Sequence, residues 1–160
     1  MKTELLTENQ IDEAARIIRE GGLVAFPTET VYGIGANAFD ADAVKKIYHA
    51  KGRPSDNPMI VHISSLDILE ELVDMEDEYT NKALELARAY FPSPLTLIVR
   101  ASERLPRVVT AGLDTVGVRM PDNEIALRLI KEAGVPIAAP SANLSGTPSA
   151  TFYSEVLDDF

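Results

Sequence analysis

The chain has 160 residues, of which 46% are hydrophobic and 25% charged, and this composition predicts one folded domain with a single core. The formal net charge of −10 argues against a protein whose main task is to coat DNA or an anionic membrane. The lack of cysteine excludes disulfides, a thiolate nucleophile and a cysteine-based metal site, and the polar first ten residues predict a soluble cytoplasmic protein rather than a secreted or membrane one.

Hydrophobic periodicity and capping signals predict an alternation of helices and strands along the chain. The predicted helices cover a segment between a Thr7–Gln10 capping box and Gly21, then residues 40–51, 65–73, 77–90 and 122–133, and a last segment capped by Thr151. The predicted strands cover residues 23–26, 59–63, 95–100, 116–120 and 135–139. This alternation predicts an α/β sheet covered by helices on both faces.

Residues 33–38 (GIGANA) contain the pattern G-x-G-x-x-A, which occurs in dinucleotide-binding sites. In such sites the glycines directly follow a strand and open a helix, whereas here residues 27–32 separate Gly33 from the strand. The next helix is capped later, at Asp40. These glycines therefore predict close backbone packing or a bulge, and not a dinucleotide site.

Polar residues follow or end three of the predicted strands. Residues 27–30 (PTET) follow the first, Arg119 lies near the end of strand 116–120, and residues 140–143 (PSAN) follow the last. Ligands of open α/β sheets bind outside the carboxyl ends of strands, so the two loops and the arginine are expected to converge on one polar pocket. Either loop alone is also typical of turn residues and helix caps.

The segment 51–58 (KGRPSDNP) carries the densest chemistry in the chain. Arg53 and Asn57 each precede a proline, which predicts extended backbone and display on a loop. A guanidinium at that position can bind phosphate or carboxylate with two hydrogen bonds. The alternative is that Lys51 and Arg53 complement the negative end of the preceding helix.

The two histidines, His49 and His62, lie in a predicted helix and a predicted strand without the spacing of metal ligands, so no metal site is predicted. His62 alternates with Ile60, and by itself it is typical of a satisfied polar residue on a half-buried strand. Ser141 does not lie in a G-x-S-x-G nucleophile elbow, so a serine hydrolase is not favoured.

Four motifs occur in order: PTETVYGIGANA, KGRPSDNP followed by MIVHI, VGVRMP, and APSANLSGTPSAT. Together they resemble the threonylcarbamoyl-AMP synthase family, also called the YrdC or TsaC family, over residues 7–155. The resemblance implies the YrdC-like fold, a twisted mixed sheet with helices on both faces around a deep, positively charged cavity. It also implies a nucleotidyltransferase that converts L-threonine, bicarbonate and ATP to threonylcarbamoyl-adenylate and pyrophosphate, the first step toward threonylcarbamoyladenosine in tRNA.

By this resemblance Thr30, His62 and Arg119 would bind L-threonine. The residues that would contact ATP are Arg53, Asn57, Thr115, Ser141, Asn143 and Ser149. Lys51 and Arg53 are the implied catalytic residues, through positive charge near the phosphates. Magnesium is expected on the ATP phosphates without a protein metal site, and no protein nucleophile is required.

The implied partners are ATP, L-threonine, bicarbonate and a transferase that passes the intermediate to tRNA, with no membrane. Residues 1–160 are expected to form a single YrdC-like domain that lacks the usual C-terminal end, so that either site closure by that segment is dispensable or the chain is truncated. Two alternatives stay open. One is a module that binds double-stranded RNA or tRNA in translation or ribosome maturation, and the other is a carbamoyltransferase that uses carbamoyl phosphate, as in hydrogenase maturation.

Overall fold

The structure, a computed structural model, describes residues 3–160 and contains one mixed sheet of six strands. The strands are β1 (Val24–Phe26), β2 (Gly33–Asn37), β3 (Ile60–His62), β4 (Leu97–Arg100), β5 (Thr115–Arg119) and β6 (Ile137–Ala138). Their order in the sheet is β1-β2-β6-β3-β5-β4, in which β3 and β5 are parallel and the other neighbours antiparallel. The mixed α/β sheet that the resemblance implies is therefore confirmed.

Every predicted helix is present, with ends shifted by a few residues. A 3₁₀ turn (Glu8–Gln10) leads into α1 (Ile11–Arg19), and the other helices are α2 (Ala41–Lys51), α3 (Leu66–Leu72), α4 (Thr80–Tyr90), α5 (Glu124–Ala133) and α6 (Tyr153–Asp159). The N-cap of α6 is Phe152, one residue after the predicted cap Thr151, and the Glu155 carboxylate accepts the backbone N–H groups of Thr151 and Phe152 at 2.7 and 3.0 Å. Among residues 3–160, no helix combines the length and apolarity needed to cross a bilayer.

Strand β2 is the one strand that the sequence analysis missed. It contains both glycines of the G-x-G pattern and pairs with β1 on one side and β6 on the other. A Cβ atom on Gly35 would lie 2.4 Å from Cγ2 of Ile137 and 2.9 Å from Cε1 of Phe26. The predicted close packing is thus confirmed, and it occurs within a strand whose glycines hide the usual strand pattern.

Helices cover the sheet on both faces, but unequally. Helices α1 and α5 pack on the first face over β1, β2 and β6, and the apolar side chains of α2, α3 and α4 join a second cluster on the other face. On the first face, β3, β5 and β4 place Ile60, Gly117 and Ile98 opposite one another, and Ile98 is 70% exposed. The first face is therefore exposed at the β4 edge of the sheet, around Ile98.

The strand directions correct one expectation from the sequence. Strands β1 and β6 run opposite to β3 and β5, so the carboxyl ends of β1 and β6 lie where β3 and β5 begin. The rule of carboxyl ends, from which the convergence of the two loops and Arg119 was expected, does not apply here, because it describes parallel strands and this sheet is mixed. The loops can therefore meet only where a segment of the chain crosses the face of the sheet.

Candidate functional site

Four polar side chains meet on the first face of the sheet, and we call them the carboxyl-end cluster: Glu29, Thr30, His62 and Arg119. His62 and Arg119 lie opposite each other where the parallel strands β3 and β5 end. Glu29 and Thr30 come from the loop between β1 and β2. Strands β1 and β5 are four positions apart in the sheet, about 19 Å if it were flat, so the loop reaches across the face to meet Arg119.

The β1–β2 loop is shaped by the hydroxyl of Thr28. Its Oγ1 donates to the carbonyl of Val31 at 2.6 Å and accepts the backbone N–H of Thr30 at 3.2 Å. Side-chain to backbone bonds of this kind stabilise tight turns. The turn places the side chains of Glu29 and Thr30 beside Arg119.

Arg119 is buried and contacts both loop residues. Its Nη2 donates to Thr30 Oγ1 at 3.1 Å and lies 2.8 Å from Glu29 Oε1, with the two charged side chains 10% and 17% exposed. Burial raises the pKa of Glu29, but the Arg119 guanidinium and the backbone N–H groups of Glu29 and Asp122 outweigh it, so the pKa is lower than usual. Glu29 is therefore ionised at neutral pH, and the two charges cancel.

His62 is 4% exposed and packs edge-to-face against Phe26, with ring centroids 5.9 Å apart. Burial, together with the neighbouring Arg119 charge, lowers its pKa to about 4, so the imidazole is neutral at pH 7. Its Nδ1 atom has no hydrogen-bond partner within the described part of the chain. The expectation of a satisfied polar residue is wrong, and a neutral ring can offer one donor and one acceptor to a ligand.

The other predicted residues lie toward the opposite end of the strands. We call five of them the amino-end group: Lys51, Arg53, Asn57, Thr115 and Ser141. Lys51 ends α2, Arg53 and Asn57 lie in the loop before β3, Thr115 starts β5, and Ser141 follows β6. Thr115 and Arg119 share one face of β5 but lie four residues apart, about 13 Å along the strand.

Lys51 connects the end of α2 to the loop after β6. Its Nζ donates to the carbonyls of Ser141 and Asn143, and its own carbonyl accepts the N–H of Ser145 at 2.9 Å. Burial, and next the charge of Arg53, lowers the pKa of Lys51 to about 8, although Asp159 opposes the shift. The side chain therefore bonds to the loop after β6, while Lys51 also lies in the last turn of α2, so both interpretations of this lysine stay predictions.

Arg53 holds its own loop. Its Nε and Nη2 atoms donate to the carbonyls of Asn57 and Pro58 at 3.3 and 3.0 Å, and the Tyr48 hydroxyl donates to the same Asn57 carbonyl at 3.1 Å. These bonds fix residues 53–58 in front of β3, with the Asn57 side chain exposed. The backbone N–H of Arg53 donates to the carbonyl of Tyr48 in the last turn of α2 at 3.0 Å, while its guanidinium bonds lie within the loop.

The two proline-started loops do meet, through Tyr32. Its backbone N–H donates to the carbonyl of Ala150 at 2.9 Å, and its carbonyl accepts the N–H of Ala142 at 2.7 Å. Ser141 forms a β-bridge with Gly33. The two loops thus contact each other, whereas the convergence of both loops and Arg119 on one pocket stays a prediction.

The remaining predicted residues are less closely joined to the site. Asn143 Nδ2 donates to the carbonyls of Leu144 and Thr147, both at 2.9 Å, while its buried Oδ1 has no partner in residues 3–160. Ser149 is exposed. Thr115 lines a cavity of about 270 Å³ beside α4 and β4, apart from the carboxyl-end cluster.

Sequence reasoning missed the role of Glu29, which the structure places in ion-pair contact with Arg119. The signal was present, because Glu29 stands between two threonines in a loop that was expected to reach a ligand. Its partner is 90 positions away, so no local pattern could identify the pair. No group of three or more histidine, aspartate or glutamate side chains suited to a metal ion occurs over residues 3–160.

Comparison with known proteins agrees with the four motifs. The sequence model of the Sua5/YciO/YrdC family, described as "Telomere recombination", matches residues 16–160. The chain belongs to the Sua5/YciO/YrdC family. The family resemblance of the sequence is therefore confirmed.

Members of the Sua5/YciO/YrdC family similar to this chain include the threonylcarbamoyl-AMP synthases of Pyrococcus abyssi and Bacillus subtilis. They are 57% and 56% identical over 98% of this chain, which covers 45% of each relative. A crystal structure of Pyrococcus abyssi Sua5 complexed with L-threonine superposes with a TM-score of 0.90, at 57% identity, over 98% of this chain and 45% of that one. The chain thus spans about half the length of the curated relatives it matches.

Proposed function

We propose that this chain binds L-threonine and ATP and forms threonylcarbamoyl-AMP from them with bicarbonate. The observation that carries the proposal is the carboxyl-end cluster, in which Arg119, Thr30 and His62 lie together on the first face of the sheet. The family membership supports it, as do the relatives that are named threonylcarbamoyl-AMP synthase and the solved relative that holds L-threonine.

In this proposal Arg119 binds the carboxylate of threonine, since a guanidinium is the side chain best shaped for a carboxylate. The Thr30 hydroxyl accepts from Arg119 and donates to Thr28 Oγ1 at 3.0 Å, since the Thr28 proton goes to the Val31 carbonyl, and it keeps one lone pair for the substrate. The neutral His62 ring, with its free Nδ1, binds the substrate hydroxyl or amine. All three side chains are held in place before the substrate arrives.

The nucleotide is proposed to lie toward the amino-end group. Arg53, Asn57 and Ser141 would contact the phosphates and ribose, and Thr115, Asn143 and Ser149 would complete the contacts. Lys51 would add positive charge beneath the loop that carries Ser141. Magnesium enters with the phosphates as part of the substrate, Mg·ATP. The distance of about 13 Å along β5 suits an extended triphosphate whose α-phosphorus points to the threonine.

The proposed reaction needs no protein nucleophile. The ammonium group of threonine first loses a proton, and the free amine takes up carbon dioxide, supplied by bicarbonate with release of water, as a carbamate. A carbamate oxygen then attacks the α-phosphorus of ATP, the bond from that phosphorus to the β-phosphate breaks, and pyrophosphate leaves. The protein contributes position and charge, which is how enzymes accelerate most phosphoryl-type transfers. The chain would then be a nucleotidyltransferase that hands its product to a tRNA-modifying transferase. A cytoplasmic location and a single domain over residues 1–160 stay predictions.

The test is pyrophosphate release by this chain with Mg·ATP, with threonine and bicarbonate omitted in turn. We expect release when both are present and none when either is missing. Calorimetry with ATP and with L-threonine separates binding from catalysis. Binding of neither ligand overturns the proposal, and binding of both without release overturns its catalytic part.

Two further arms address the alternatives. Carbamoyl phosphate in place of threonine and bicarbonate tests the carbamoyltransferase, and we expect it to give no turnover. Titration with double-stranded RNA at low and high salt tests the RNA-binding module, whose affinity would fall steeply with salt. We expect weak binding at most, because the chain carries a net charge of −10.

A further inference from the structure

Glu29 lies inside the carboxyl-end cluster, opposite the residue proposed to bind the substrate carboxylate. Its Oε1 is 2.8 Å from Nη2 of Arg119, and its side chain is 17% exposed. Burial of a carboxylate costs free energy unless nearby groups stabilise its charge. A protein is often as stable with a hydrophobic pair as with a buried ion pair at the same place. The buried carboxylate of Glu29 on this face of the sheet therefore indicates a role other than stabilising the fold.

The cluster holds more hydrogen-bonding capacity than it uses. Oε1 of Glu29 is paired with Nη2 of Arg119 at 2.8 Å, whereas Oε2 has no hydrogen-bond partner within residues 3–160. The same holds, across the described chain, for Nε of Arg119 and Nδ1 of His62. Native proteins leave few buried polar atoms without partners, so three in one place are groups that a polar ligand can satisfy.

The charges of the cluster define which ligand fits. Arg119 and Glu29 sum to zero, and their opposite charges are a few ångströms apart. An α-amino acid carries the same two charges, on two groups attached to one Cα atom, and each can face the group of opposite charge. A carboxylic acid without an amine would place its negative charge near Arg119 but also near Glu29, and it would lack a partner for Glu29.

We propose that Glu29 binds the α-ammonium group of the amino-acid substrate while Arg119 binds its carboxylate, which makes Glu29 the residue that selects amino acids over hydroxy acids. The inference rests on the proposed function, because it takes the cluster as the threonine site. The lowered pKa of Glu29, a result of Arg119 and nearby backbone N–H groups that outweighs burial, keeps the carboxylate charged for this task.

The experiment compares two ligands by calorimetry, L-threonine and 3-hydroxybutyrate. The second keeps the carboxylate and the hydroxyl of threonine and lacks the α-amine. We expect the wild-type chain to bind threonine at least tenfold more tightly. In Glu29→Gln, which keeps the size of the side chain and removes its charge, we expect threonine to bind about tenfold more weakly. The affinity for 3-hydroxybutyrate should stay equal or rise, so that the preference is lost.

Glu13→Gln is the matched control. Glu13 forms an ion pair with Arg16 at 2.5 Å in α1, with both side chains about half exposed, and it lies outside the site. The same substitution there removes one carboxylate from a salt bridge, and we expect both affinities to be unchanged. This control separates the effect of position from the general effect of one charge less.

Each other outcome overturns the inference or the function beneath it. Equal losses for both ligands in Glu29→Gln would assign Glu29 the structural role of holding Arg119 alone. If the wild-type chain binds neither ligand, the threonine site itself is wrong. Should Glu29→Gln fail to fold, the wild-type comparison still decides, because equal affinity for the two ligands contradicts selection for the amine.

Discussion

Arg119 and Lys51 are both buried cations, exposed by 8% and 2%, yet their partners differ. Arg119 faces the carboxylate of Glu29 and the hydroxyl of Thr30, whereas Lys51 donates to the backbone carbonyls of Ser141 and Asn143. The first set of partners are side chains that a ligand can share. Carbonyls that already hold a lysine are less available to a ligand, so the two ends of the site are built differently.

The difference suggests a division of work. At the carboxyl-end cluster the side chains are fixed and their hydrogen-bonding capacity is left unused, which suits a small ligand that must be oriented precisely by several contacts. At the amino-end group, Lys51 and Arg53 donate hydrogen bonds to backbone carbonyls and so hold the loops in shape. The loops would then bind a larger ligand through exposed groups, and the predictions below separate the two ends.

The largest effect is expected at Arg119. Arg119→Lys keeps the charge beside Glu29 but loses the two-pronged guanidinium, so the carboxylate of threonine is held by a point charge. We expect pyrophosphate release to fall about 100-fold, with ATP affinity unchanged. Arg119→Ala should abolish release and lower the melting temperature, since it leaves Glu29 buried without its partner.

Arg16→Lys serves as the control for this prediction, because Arg16 is half exposed in α1 and pairs with Glu13 and Glu20. It should keep the wild-type rate. A wild-type rate in Arg119→Lys would show that the guanidinium is not needed. The proposal that Arg119 binds the threonine carboxylate would then be wrong.

Arg53→Ala is expected to have the next largest effect, and it acts at the other end. Loss of a charged donor near the phosphates should weaken ATP binding about tenfold. Threonine affinity should change by less than about twofold, because the two ends do not share partners. Both affinities are measured by calorimetry.

Tyr48→Phe separates the charge of Arg53 from its effect on loop shape. The Tyr48 hydroxyl donates to the same Asn57 carbonyl as Arg53 does, so its loss loosens the loop without removing a charge. We expect a smaller loss of ATP affinity. If the two variants weaken ATP equally, Arg53 acts by holding the loop and does not bind phosphate.

Local patterns in the sequence predicted most of the fold. Caps and periodicity depend on neighbouring residues, and so Asp40, whose carboxylate accepts the N–H groups of Asp42 and Ala43, and Gly52, with φ of 59°, marked the ends of α2 correctly. Strand β2 was missed because Gly33 and Gly35 are poor strand formers, and only contact with Phe26 and Ile137 explains them.

The sequence indicated candidate residues for the site but did not predict how they are arranged. The motifs placed Thr30, His62 and Arg119 together, and this is confirmed, while their roles stay predictions. The pairing of Glu29 with Arg119 and the strand directions depend on contacts between distant segments, which no local pattern encodes. The same limit explains why the carbonyl partners of Lys51 were not foreseen.

A smaller effect is expected from Thr30→Val, which keeps the shape of the side chain and removes the hydroxyl that accepts from Arg119. One hydrogen bond of this kind contributes about 1 kcal/mol, so threonine should bind about fivefold more weakly while ATP affinity stays the same. Thr7→Val is the control, since Thr7 is exposed and lies before α1. An equal loss of ATP affinity would contradict the separation of the two ends.

The smallest effect is a pH dependence of stability that belongs to Lys51. Its pKa falls from 10.5 to about 8 through burial first and the charge of Arg53 second, so between these two pH values the unfolded chain binds a proton that the folded chain does not. The free energy of unfolding should therefore rise with pH across this window through Lys51. Lys51→Met removes that contribution while other lysines and tyrosines titrate as before. Urea unfolding of both proteins from pH 8 to 10 should thus give a steeper rise for the wild type, and equal slopes would show that Lys51 stays protonated on its carbonyl partners throughout.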